Sequence, residues 1–149
     1  MANDARQIAN WFIQRAKQDG RRLSIMSLLK LCYFAHGSHL GKFKKPLFKN
    51  KIEAWKFGPV IPDVYYSFRN QGMTPTQLIS GYSVDVDNDI FLERIYEIYG
   101  HMSPFRMSKL THVKGGPWDL TMKMSGLYSI ILNDLIQVHF IAQNRNSQL

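Results

Sequence analysis

The sequence is nearly without cysteine: Cys32 is the single one in 149 residues. That excludes an internal disulfide framework and matches the usage expected of a protein kept in a reducing cytoplasm. Long apolar runs are also missing. Lys30 and Asp134 interrupt the best candidates, so no segment reaches the ~18 uncharged residues expected of a membrane span. The opening MANDARQ has neither a basic nor an apolar leader segment, and no signal peptide is expected. GxGxxG, GxxxxGK[ST], HExxH and GxSxG are all absent, so nothing in the motifs argues for an enzyme or for a cofactor.

What remains is globular in character, with 45% apolar and 20% charged residues. A chain of 149 residues is read as one domain, 1–149, able to bury about 68–70% of its unfolded surface. The net charge of +8 is uneven. Residues 1–56 hold twelve Lys/Arg against Asp4, Asp19 and Glu53, whereas residues 57–149 hold seven against eight acidic residues. The basic half suits an anionic partner, a nucleic acid or an acidic protein face, although a solvated surface accounts for it equally well.

Helical periodicity dominates. Ala5, Ile8, Ala9, Phe12, Ile13 and Ala16 fall on one face and are stopped by Gly20. Ser24 is placed to cap the next helix, SIMSLLKLCYFAHGSHL, whose lone charge is Lys30; a helix apolar nearly all round belongs at the centre of a fold. A short two-stranded ribbon fits near residues 46–57. Pro62 suits the first turn of a helix running to about Asn70, with Asp63 at its positive end. Residues 71–87 read as a connection. Phe91, Leu92, Ile95, Ile98 and Tyr99 form another stripe, closed by Gly100 in the C′ position, where glycine usually turns left-handed. Ser103-Pro104 opens a helix to about Leu110, HVKGGPWDL breaks the chain, and Asn133 caps a closing helix. The expectation is a mainly α bundle of about six helices.

Several residue groups admit both a chemical reading and a plain structural one. Asp85, Asp87 and Asp89 alternate like the start of a calcium loop, but Ile90 stands where glycine is required and Tyr96 where the bidentate glutamate is required. Cys32 and His36 share a helix face; a mid-helix thiol between Leu31 and Tyr33 reads as buried and inert. His36 and His39 lack further ligands at metal spacing, so a core histidine with one hydrogen bond is the better account. His112 is read as a partner of a helix C-terminus. In GKFKKPLFKNK, Lys42, Lys44, Lys45, Lys49 and Lys51 could neutralise phosphates while Phe43 and Phe48 stack on bases. The plainer alternative is a lysine loop whose phenylalanines turn inward beside Leu47.

The densest signal is EAWKFGPVIPDVYYSF, residues 53–68. Pro59 drives Gly58 towards extended backbone and Pro62 presets a helical turn, which fixes the angle between the two flanking segments. Tyr65 and Phe68 share a helix face, with Tyr66 about 100° away. Trp55, Tyr65 and Phe68 are therefore expected mainly in the core. Phe57 and Tyr66, with Lys42, Lys44, Lys45 and Lys56, are the candidates for partner contact.

Together these segments resemble the Panacea domain, the SocA-like antitoxin family described as phage-associated. The matching pieces are IANWFIQRA (8–16), LSIMSLLKLCYFAHGSHL (23–40), KPLFKNKIEAWKFGPVIPDVYYSF (45–68), IYGHMS (98–103) and LTHVKGGPW (110–118), followed by a closing helix through VHF (138–140). Its signature positions here are Trp55, Gly58, Pro59 and Pro62, then Thr111, His112, Pro117 and Trp118. Ser27 departs from a frequent lysine, Cys32 from a common leucine, and the 71–87 connection is variable. The resemblance implies a mainly α antitoxin that acts by contact with a toxin protein, by masking it or by presenting it to a protease. It carries over no catalytic residues.

Overall fold

The computed structural model describes residues 2–146. In chain order the elements are α1 (Ala5–Gln18), α2 (Ile25–Phe43), β1 (Glu53–Trp55), β2 (Gly58–Val60), α3 (Pro62–Phe68), a 3₁₀ turn (Arg69–Gln71), α4 (Asp89–Tyr99), α5 (Pro104–Thr111), α6 (Pro117–Met124) and α7 (Asn133–Asn146). The protein is mainly α, as its periodicity implies, with seven α-helices among the described residues. The additional helix is α6, in a stretch whose glycines and proline read as a break. Pro117 occupies its first turn, where a missing N–H costs nothing. The Asp119 carboxylate reaches back to the Gly115 N–H at 2.8 Å.

α2 is the axis of the molecule. Ser24 caps it by accepting from the Ser27 N–H at 3.0 Å, and Leu28, Leu29, Leu31, Cys32 and Ala35 are fully buried. α1, α3, α4, α5, α7 and β2 all pack against it. Its approach to α7 is close because Gly37 and Gly41 face that helix. A Cβ on Gly37 would fall inside the Phe140 ring, and one on Gly41 would stand 3.0 Å from the Phe140 Cβ. His36 completes the joint, its Nε2 lying 2.9 Å from Asn133 Oδ1. Burial pushes its imidazole down to about 4, so the neutral ring donates from Nε2 to the amide oxygen. The side chain expected to cap α7 thus serves α2 instead.

α1 buries its whole apolar stripe and begins with a capping box between Asp4 and Gln7. Trp11, at the edge of that stripe, is buried too and donates its indole N–H to Asp89 at the start of α4. Residues 72–87 hold no helix or strand, yet the buried Asn10 amide fastens them. It donates to the carbonyls of Ile79 (2.9 Å) and Tyr82 (2.8 Å) and accepts from the Ile79 N–H (2.8 Å). Two details of α4 differ from expectation. Ile98 is 45% exposed, and Gly100 closes the helix in right-handed geometry, φ −63°. Glycine is required there for room, since a Cβ would stand 2.7 Å from the Tyr96 ring.

Candidate partner-binding surface

The ribbon sits at residues 53–60, later than the 46–57 its composition suggested. β1 and β2 are antiparallel, pairing Glu53 with Val60, Ala54 with Pro59 and Trp55 with Gly58. Pro59 is tolerated because Ala54 turns its own N–H and C=O the other way. They bond Ser129 O (2.8 Å) and Tyr128 N (2.7 Å), while the Ile131 N–H bonds Ile52 O (2.8 Å). Residues 128–131 therefore flank β1 as a third strip, bridged at Glu53 and Ile130. Tyr128 and Ile130 face outward and Ile131 inward.

The two-residue turn lifts Lys56 and Phe57 to the tip, where Phe57 is 64% exposed. Behind them the rings gather around Trp55: Tyr65 at 5.2 Å, Tyr128 at 5.6 Å and Tyr66 at 6.2 Å between centroids. Phe68 is fully buried, as expected, whereas Trp55 and Tyr65 are half-buried against the core. Tyr66, Tyr128 and Ile130 are exposed. Cations lie over this group, with Arg69 4.8 Å from the Tyr66 centroid and Lys56 5.4 Å from that of Phe57. Tyr128 holds φ +68°, which a bulky residue adopts only when its surroundings impose it.

The signature residues form the support of this surface. Trp118 Nε1 donates to Trp55 O at 2.8 Å, and His112 lies 4.1 Å from the Trp118 ring. His112 Nδ1 is 2.6 Å from Ser108 O, which Thr111 Oγ1 also bonds at 2.8 Å. His112 is thus the end-of-helix partner its position suggested. Gly58, at φ +121°, is glycine for two reasons: its backbone lies in the positive-φ region, and a Cβ would stand 3.0 Å from Lys30 Nζ and 3.2 Å from Thr111 Oγ1. Lys30 is 1% exposed, and its ammonium has no hydrogen-bond partner among the described residues. Burial pushes it down to about 8.

The basic candidates do not join this surface as one patch. Lys56 does, but Lys42 lies twelve positions beyond Lys30 on α2, about 18 Å along the axis. Lys44 caps α2 in left-handed geometry (φ 59°) and turns its ammonium back to Gly41 O at 2.7 Å; Lys45 is exposed beyond it. Lys51 pairs with Glu53 at 3.1 Å. Phe48 is in the core, stacked on His36 at 4.1 Å, which removes one of the two rings a nucleic-acid reading needed. Phe43 stays 44% exposed. Cys32 is fully buried and its thiol is pushed up by burial, as an inert cysteine should be. No described helix is long and apolar enough to cross a membrane.

Fold and surface define a helical domain that presents a rigid aromatic patch beside a short ribbon. The chain belongs to the family described as Antitoxin SocA-like, Panacea domain, whose model matches residues 28–119. It is similar to Antitoxin SocA of Caulobacter vibrioides (strain NA1000 / CB15N), with 37% identity over 130 residues, which covers 78% of this chain and 69% of that protein. No solved structure matches it.

Proposed function

We propose that the protein is a non-enzymatic, cytoplasmic antitoxin that binds a cognate toxin protein directly through the aromatic surface of the ribbon. The observation that supports this most is the exposure of Phe57, Tyr66 and Tyr128 on a support tied down by prolines, backbone pairing and the Trp118 bond. Large rings held in place lose little conformational freedom on association, and exposed aromatic clusters are where binding energy concentrates. Family membership and the name of the Caulobacter relative point the same way. Such a surface serves masking of the toxin and its presentation to a protease equally. Nucleic-acid binding is the weaker reading, because Phe48 is buried and Lys51 is paired.

The test uses the open reading frame beside this gene, expressed as the toxin. Phe57→Ala/Tyr66→Ala should keep its helical circular dichroism yet fail to rescue growth and fail to retain the toxin in a pull-down. Complete rescue by the folded double variant would remove the ribbon surface from the interaction.

A further inference from the structure

A second surface lies at the other end of α2. A groove of about 1350 Å³ runs between α4 and the last turn of α2 and is closed by the end of α7. That is larger than the ~300–1,000 Å³ usual for small-molecule pockets, and it suits a polypeptide segment. Its floor is aromatic: Phe43 lies 4.7 Å from His39 and 5.8 Å from Phe91, centroid to centroid. Its outer wall is aliphatic, with Ile90 89% and Ile98 45% exposed. These stand eight residues apart on α4, about 12 Å, with Arg94 midway. Lys42 and Lys45 border the opposite side, and neither forms an ion pair among the described residues. Arg94 meets Glu97 only at 3.8 Å, with both side chains largely exposed, and Asp87 is the acidic residue of the lining.

We propose that this groove docks an amphipathic helix of a partner protein, with apolar anchors at i, i+3/i+4 and i+7 and acidic residues on its flanks. The apolar floor and the two isoleucines take the anchors, as in other helix-in-groove contacts. Lys42, Lys45 and Arg94 supply the complementary charge that sets orientation and speeds encounter. An oligonucleotide fits less well: Phe43 offers one exposed ring for stacking, but the outer wall presents Ile90 and Ile98, which give successive bases no flat face. This assignment stands apart from the antitoxin reading. The groove is separated from the ribbon by most of the length of α2, so both surfaces can be occupied together.

The test is selection from a displayed library of random 14-residue helical peptides against the intact protein. Enriched peptides should combine the i, i+3/i+4, i+7 apolar pattern with Asp or Glu. They should shift the amide resonances of Arg94 and Ile98 but not those of Phe57 and Tyr66. They should also lose at least tenfold in affinity for Lys42→Glu/Lys45→Glu/Arg94→Glu. Ile98→Arg, at an exposed position, gives the same loss if the triple variant folds poorly. Absence of enrichment, enrichment of basic peptides, unchanged affinity of both variants, or shifts confined to the ribbon would each overturn the proposal. A twelve-residue oligothymidylate that shifts the groove resonances, or a dimer abolished by Ile98→Arg, would assign the groove to nucleic acid or to a second copy and overturn it as well.

Discussion

The two ends of α2 carry two different kinds of surface. At the ribbon end, shape is set by main chain: strand pairing, a third strip at residues 128–131, two prolines, and the Trp118 bond to a backbone carbonyl. At the groove end, shape is set by side chains on helices, and the rim is charged. A surface built on backbone keeps its form when an exposed ring is trimmed. One built on side chains is tuned residue by residue. The first should therefore respond to mutation mainly through its support, and the second mainly through its charge.

Phe68→Ala removes a fully buried ring of α3 and should cost about 3–5 kcal/mol in chemical denaturation, more than any exposed substitution at either end of α2. A loss below ~1 kcal/mol would mean that the ring is packed less tightly than its burial indicates. Lys30 gives the next largest effect, with the opposite sign. Its amine is pushed down from 10.5 to about 8 in the folded state. Below pH 8 both states are protonated and the burial penalty is present in full, about 3 kcal/mol by linkage. Between about pH 8 and 10.5 the unfolded chain binds a proton that the folded one does not, so stability should rise with pH across that window. Lys30→Met should stabilise at pH 7 by up to about 3 kcal/mol and abolish the rise. A flat wild-type profile there would show that the ammonium has a partner.

Asp4, the N-cap of α1, sets the scale for a local contact. The Arg6 side chain holds its carboxyl down at about 2, assisted by the Arg6 N–H. A depressed carboxylate stabilises above its unfolded pKa, so the contribution should fade as pH drops from about 4 to about 2. Asp4→Asn should cost about 1 kcal/mol, read from the thermal midpoint. Smallest of all, Ile98→Arg and Phe57→Ala should each change stability by less than about 0.5 kcal/mol, since both side chains are exposed. Their consequences belong in binding assays. A large loss of stability from either would show that its surface is part of the fold.

α1 and most of α4 were legible from the spacing of their stripes, and the starts of α2, α3 and α5 from Ser24, Pro62 and Ser103. α6 was not, because Gly115, Gly116 and Pro117 signal a break as readily as the turn and first helical position they form. The ribbon was placed too early because Gly58-Pro59 reads as a joint. The far side of β1 is satisfied by residues about 70 positions away, where Ser129 and Tyr128 bond Ala54. The same distance hid Tyr128 from the candidate surface. The exposure expected of Phe57 and Tyr66 followed from helix geometry and turn position, which are local. Lys30 was visible as the lone charge in residues 24–40, but its position against Gly58 and Thr111 depends on three separated segments meeting.

Cys32 sits two residues from that lysine, fully covered by the same helices. A disulfide reagent can reach its sulfur only during excursions that uncover α2, so the native protein carries its own clock. Under conditions where closing outpaces reaction, the labelling rate reports the free energy of opening. A partner that seals either end of the helix should slow that clock, and by how much would measure how far its grip is felt at the centre.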